Sequence, residues 1–168
     1  MVFVAVAVVA MAACGSNSKD REHLAAHDST SEVRNVIPAI AAAILEQADQ
    51  FELLSLNPDH QQKAAEGDFH GYTILGTTVV KDIETRKKLV STFEKAVTEN
   101  QGIVAACFNP RHGIRVARNG KHADFVICFE CYHAYVSGEV YGEFLITSSA
   151  QPLFDSVLHS SGVPVAKR

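Results

Sequence analysis

Three cysteines and two histidines lie in two short stretches of the second half of the chain. The first stretch reads CFNPRHG over residues 107–113, and the second reads CFECYH over residues 128–133. Thiols and imidazoles are the side chains that form disulfides, bind zinc or copper and carry redox chemistry. The two stretches therefore predict one candidate ligand or metal site, with these members: Cys107, Arg111, His112, Cys128, Glu130, Cys131 and His133.

The cysteine pairing depends on how the two stretches meet. Asn119-Gly120 lies between them and is the preferred pair for a two-residue type I′ turn. Pairing about this turn places opposite each other the residues whose numbers sum to 239. Pro110 cannot donate to a strand ladder and indicates a bulge, and one extra residue moves Cys107 opposite Cys131. Opposed cysteines of an antiparallel pair lie near disulfide distance, so we expect a Cys107–Cys131 disulfide.

Metal binding and thiol-redox chemistry are the alternatives to a disulfide. Cys128 and Cys131 have the spacing of a redox motif, but such motifs use a helix N-terminus to stabilise the thiolate, and strand-forming residues surround this pair. Metal binding fits the residue types better, because His112 and His133 could complete a Cys₂His₂ site for zinc or copper with the two paired cysteines. We expect no other cofactor.

Arg111, His112 and Glu130 have two interpretations. They could bind an anion or a carboxylate, with Arg111 as a bidentate donor. They could equally brace a bulge, with His112 bonded to a backbone carbonyl and Arg111 paired with Glu130. The other histidines, His70 and His122 among them, are scattered at polar positions, and we expect them to be solvated.

The N-terminal residues predict the cellular location of the protein. An uncharged apolar run from Val2 to Ala13 ends at Cys14, after which the chain turns polar at once. The run is too short to span a bilayer and suits the apolar core of a signal peptide. The small residues before Cys14 resemble a bacterial lipobox, which implies a cysteine that carries diacylglycerol and becomes the new N-terminus. We therefore expect an exported protein, lipid-anchored to the outer membrane facing the periplasm if the host is Gram-negative.

Composition limits the remaining functions. The net charge of −4 is spread thinly and forms no basic stripe, so nucleic acid is an unexpected partner. No later segment is apolar for long enough to cross a bilayer, so the lipid would be the membrane attachment. No hydrolase, zinc-protease or phosphate-binding motif is present, which favours a binding or structural domain over an enzyme. The sequence identifies no protein or small-molecule partner.

Periodicity predicts one α+β domain after a signal peptide over residues 1–13 and a flexible tether over 14–35. The domain, residues 36–168, should contain an antiparallel sheet of about five strands with helices packed on one face. Its elements follow the order αββαβββα, over residues 36–45, 51–56, 72–80, 83–99, 103–118, 121–136, 140–147 and 152–158. Asp82 stands where a helix N-cap belongs, and Gly76 indicates a bulge or a close backbone approach.

Over half of the chain, from Phe69 to Val165, resembles uncharacterised bacterial secreted proteins and lipoproteins. The resemblance implies export and a shared hairpin site, and it implies no catalytic role. It is carried by the CFNPRHG and CFEC strings and by the residues Leu75-Gly76-Thr77, 105–115, Asp124, 127–131 and Gln151-Pro152.

Overall fold

A computed structural model describes residues 35–59 and 67–167, and one compact unit holds them. The predicted signal peptide, the lipidated Cys14 and the tether up to residue 34 lie outside the described residues. Among the described residues, none of the helices is long and apolar enough to cross a bilayer.

The described chain forms a six-stranded antiparallel sheet and three helices, so the predicted α+β class is confirmed. The strand order across the sheet is β2-β1-β3-β4-β5-β6. The strands are β1 (Gln50–Leu56), β2 (Ile74–Val79), β3 (His112–Arg118), β4 (Lys121–Cys128), β5 (His133–Gly138) and β6 (Gly142–Leu145), and the helices are α1 (Ala39–Glu46), α2 (Ile83–Glu99) and α3 (Gln151–Ser160).

The central hairpin, β3 and β4, has the predicted register. Asn119 and Gly120 both take positive φ angles, 50° and 78°, as a type I′ turn requires. Every opposed pair sums to 239, from Arg118 opposite Lys121 to His112 opposite Ile127. The turn therefore fixes which face of the sheet each side chain occupies.

Two predicted strands are shorter than the sequence indicated. Residues 103–111 form no strand, because Pro110 cannot donate to a ladder and the amide of Asn109 bonds the Cys128 sulfur instead. The predicted strand 121–136 ends at Cys128 and restarts at His133, and Tyr132 has a positive φ of 57° in the turn between them. This reversal gives the sheet six strands rather than about five.

The first face of the sheet packs against all three helices. Phe93 of α2 lies at the centre, with its ring 5.8 to 6.1 Å from the rings of Phe125, Phe144 and Phe154. The predicted N-cap of α2 is confirmed, because the Asp82 carboxylate accepts a hydrogen bond from the Thr85 amide at 2.8 Å. These contacts create the main hydrophobic core.

Two details of the predicted elements differ from the structure. The first helix begins at Ala39 instead of residue 36 and has eight residues, because Pro38 is extended at the N-cap and lies against Gly142. Strand β2 begins at Ile74 rather than Tyr72. Its register shifts between Ile74 and Gly76, and a Cβ on Gly76 would meet Val163 at 2.8 Å, so the predicted bulge and close approach are both present.

A short turn covers part of the second face. Phe69 and Tyr72 exchange backbone hydrogen bonds of 2.9 and 3.1 Å around His70 and Gly71, which both have positive φ angles. The Phe69 ring is fully buried above Gly113, where a Cβ would come within 2.8 Å of the ring. Gly113 therefore provides the space that lets this turn pack on the hairpin and close a second, smaller core.

Candidate functional site

The disulfide pair is the most direct outcome of the sequence prediction. The sulfurs of Cys107 and Cys131 lie at disulfide distance, with their Cα atoms 5.7 Å apart, so the pairing is confirmed. The predicted route to it, a bulged ladder, is wrong, because neither cysteine lies on a strand. Cys131 belongs to the turn between β4 and β5, and its carbonyl accepts a hydrogen bond from the Ala105 amide at 3.1 Å. The disulfide thus fastens the irregular segment 103–111 to this turn.

Cys128 is the free thiol among the described cysteines, and it is buried at the end of β4. Burial raises the pKa of its thiol, although hydrogen bonds from nearby backbone amides, that of Asn109 foremost, oppose the shift. The thiol is therefore protonated at neutral pH and is a poor nucleophile.

Arg111 and Glu130 form the ion pair that the bracing interpretation predicted. Their Nη1 and Oε2 atoms lie 2.5 Å apart, and both side chains are largely shielded from solvent. The Nε of Arg111 also donates to the Lys167 carbonyl at 3.3 Å. The guanidinium thus joins the start of β3 to the β4–β5 turn and to the C-terminal segment.

His112 lies on the helix-covered face of the sheet and is 1% exposed. Its Nε2 lies 2.7 Å from Oδ1 of Asp155 on α3, and the edge of its ring packs against Phe129 and Phe154. The expected bond to a backbone carbonyl is therefore wrong. The hydrogen bond from His112 holds the pKa of Asp155 below the usual aspartate range. A buried histidine fixed in this way braces α3 against the sheet.

His133 lies on the opposite face from His112, directly across from Cys128. Its Nε2 is 3.4 Å from Oε2 of Glu143, which is an ion-pair distance without hydrogen-bond geometry. The structure therefore separates the seven predicted residues into a disulfide, an ion pair, a buried thiol and two histidines on opposite faces. Within residues 35–59 and 67–167, no three His, Cys, Asp or Glu side chains are arranged to hold a metal ion.

A second polar cluster on the second face was not singled out as a site from the sequence. Asp124 is 7% exposed, and its carboxylate receives two bonds from Arg115, at 3.1 and 3.2 Å. His70 is exposed, as expected, but its Nε2 also lies 3.0 Å from the same carboxylate, a partner that the sequence did not indicate. The sequence could have indicated the pair of Arg115 and Asp124. The Asn119-Gly120 turn places opposite each other the residues whose numbers sum to 239, and these two residues meet that condition.

The Asp124 cluster anchors the Phe69–Tyr72 turn. Burial alone would raise the pKa of Asp124, but hydrogen bonds from His70 and Arg115 outweigh it and lower the pKa below the usual aspartate range. Ser137 Oγ lies 3.4 Å from both ring nitrogens of His70, at the long limit of a hydrogen bond. The Arg115 guanidinium also stacks 5.0 Å above the Phe69 ring. The cluster is an anchor rather than a catalytic triad.

Three aromatic rings form a row beside this cluster, on the same face. The rings of Phe108 and Tyr135 are 5.7 Å apart, those of Tyr135 and Tyr141 are 6.3 Å apart, and both pairs are tilted by only 33° to 34°. Tyr141 is 64% exposed at one end, and its hydroxyl donates a short hydrogen bond to Glu143. We call Phe108, Tyr135, Tyr141 and Glu143 the aromatic row. Its exposed end consists of the Tyr141 ring and the partly exposed Glu143 carboxylate.

Comparison with known proteins assigns the chain to no family. No protein-family model, curated protein or solved structure matches the chain.

The lowered pKa of Asp124 predicts a pH-dependent loss of stability. Asp124→Asn should reduce the free energy of unfolding at pH 7 by about 1–3 kcal/mol, because Arg115 and His70 lose their charged partner. A lowered folded-state pKa stabilises the fold above the unfolded value and stops doing so as the pH falls through the folded value. The difference between wild type and variant should therefore shrink as the pH falls below about 4, in urea unfolding followed by circular dichroism.

Glu84→Gln is the control, since Glu84 is exposed and forms a surface ion pair with the exposed Lys87. This control should unfold like wild type at pH 7. An Asp124→Asn deficit that stays constant from neutral to acidic pH would contradict the ionic role of Asp124.

Proposed function

We propose that this chain is an exported, lipid-anchored binding domain whose binding surface is the aromatic row. Export is supported by the apolar run that ends at Cys14 and by the Cys107–Cys131 pair at disulfide distance. Disulfides persist in the periplasm and outside the cell, whereas the cytosol keeps thiols reduced. In a Gram-negative host, we place the anchor in the outer membrane with the domain facing the periplasm.

The observation that carries the binding role is the aromatic row on the face that the helices leave uncovered. Stacked aromatic rings attract a cation through their π faces, and the adjacent Glu143 adds a negative charge. This combination suits a ligand that carries an ammonium group. The apolar surroundings of Tyr135, which raise the pKa of its hydroxyl mainly through burial, strengthen such an attraction by excluding water.

A zinc, copper or thiol-redox function of the Cys/His cluster is the competing proposal. Three features favour a disulfide staple over it. The raised pKa of Cys128 disfavours the thiolate that redox chemistry and metal binding require. His112 already bonds Asp155, and His133 lies on the other face of the sheet.

Thiol counting distinguishes the staple from the competing proposal. In denaturant without reductant, the mature chain should show one alkylatable cysteine, Cys128, and reduction should expose two more. Replacing both Cys107 and Cys131 with Ala should destabilise the fold by about 3 kcal/mol, because the disulfide closes a loop of 24 residues in the unfolded chain. Intact-mass spectrometry and thermal unfolding measure these effects.

Cys128→Ala is the control, and it should remove all labelling before reduction without breaking the staple. The protein should also be purified without chelator and its metal content measured. Three free thiols together with stoichiometric zinc or copper would refute the disulfide and support the metal site.

Lipidation of Cys14 is tested by fractionation. Cys14→Ser should move the protein from the membrane to the soluble fraction, because no other lipid attachment site is proposed. A wild-type protein whose intact mass lacks a lipid would refute the anchor. Ser16→Ala, two residues later, is the matched control and should stay on the membrane.

Tetramethylammonium is a direct probe of the aromatic row. It should shift the ring resonances of Tyr135 and Tyr141 in NMR titrations, and Tyr141→Ala should weaken binding by about threefold to tenfold through loss of one π face. Tyr141→Phe keeps the ring and should retain most of the affinity. Shifts that are absent, or that survive Tyr141→Ala unchanged, would contradict the assignment of this surface.

A further inference from the structure

Eight large apolar side chains of the described residues are exposed, and four of them lie on two chain segments that hydrogen bonds join. These four are Val36 at 56%, Ile40 at 53%, Ile103 at 64% and Val104 at 56%. We call these four residues the apolar edge. Single exposed apolar residues are ordinary, but a contiguous group marks an interaction surface.

Hydrogen bonds hold the two halves of the apolar edge together. The side-chain amide of Asn35 donates to the Asn100 carbonyl, and the Asn100 amide donates to the Ile103 carbonyl at 2.8 Å. The Asn100 side-chain oxygen also accepts from the Ile103 backbone amide at 2.8 Å. Asn100 is 3% exposed, so it is a buried link between the start of the described chain and the segment after α2.

The apolar edge lies along the open side of β6. Asn100 donates a 2.7 Å hydrogen bond to the carbonyl of Ile146, just after β6, and Pro38 packs against Gly142 at the start of that strand. Strand β6 pairs only with β5 and ends the sheet, whereas β2 ends it on the other side. Val36, two residues before Pro38, is therefore close to β6, and the exposed Leu75 and Val79 belong to β2 at the opposite edge.

We propose that the apolar edge rests on the bilayer that anchors the protein. The inference builds on the proposed lipid at Cys14. About twenty residues separate Cys14 from Asn35 in the sequence. The described residues begin at Asn35, beside Val36, so the covalent connection from a lipid at Cys14 enters the domain next to the apolar edge, and the β2 edge is on the other side of the sheet.

A protein that is already linked to the membrane by a lipid needs only a weak contact between the apolar edge and the bilayer. Linking the domain to the membrane gives the apolar edge an effective concentration near the millimolar range, so four apolar side chains need no cationic helper. The nearest lysine on α2, Lys95, already pairs with Glu99 at 3.5 Å. Docking through this edge is therefore apolar, and it depends little on salt or on anionic lipids.

Methyl NMR of the full lipidated protein tests this docking. The protein is placed in phosphatidylcholine nanodiscs that contain a lipid with a headgroup nitroxide, and its Ile, Leu and Val methyl groups are labelled. The methyl signals of the apolar edge should lose at least about twice as much intensity as those of Leu75 and Val79, because paramagnetic broadening falls steeply with distance. Equal broadening of both edges, or preferential broadening of the β2 edge, would overturn the proposal.

Matched variants locate the effect. Ile103→Ser with Val104→Ser should equalise the broadening of Val36 and Ile40 with that of the β2 edge, whereas Leu75→Ser, with Val79 kept as the β2-edge probe, should leave the preference intact. Concentration-dependent shifts of the apolar-edge methyls without lipid would assign the edge to a second copy of the chain and reject the membrane. Intact mass separates the two failures, since a missing lipid refutes the anchor, and a lipidated protein with uniform broadening refutes only the docking.

Discussion

The register of the β3–β4 hairpin is the constraint on which both faces of the sheet depend. The type I′ turn at Asn119-Gly120 fixes this register, and side chains then alternate between the faces. His112 consequently faces the helices, whereas Arg115 and Asp124 meet on the second face. A slip of one residue would exchange these environments, burying an ion pair under the helices and exposing the core.

The same register explains why the second face is closed by such a short segment. Gly113 leaves a gap in the hairpin that the Phe69 ring fills, and the contact between His70 and Asp124 holds the turn in place. Strand β4 is therefore buried on both faces along most of its length, which is unusual for a strand in an open antiparallel sheet. The aromatic row lies beside this closure, with the Tyr141 ring exposed at one end.

The sequence predicted the parts that local chemistry dictates. The Asn119-Gly120 turn and the Asp82 cap followed from turn preference and capping, whereas the Cys107–Cys131 pair was predicted through a bulged ladder that the structure does not contain. The reversal after Cys128 was missed because residues 128–136 remain rich in strand-forming side chains, and only the backbone of Tyr132 marks the turn. The partners of His70 and His112 were missed because both bonds join residues far apart in sequence, and histidine carries no local signal for them.

The packing of the Phe69–Tyr72 turn on the second face of the sheet is the central structural claim. It is measured most directly by nuclear Overhauser contacts between the Phe69 ring protons and the α protons of Gly113 in the folded protein. The account predicts strong contacts and an upfield shift of a Gly113 α proton from the ring above it. Absent contacts, with Gly113 α protons at unstructured shifts, would contradict the hairpin register, the turn that packs on it and the surface assigned beside them.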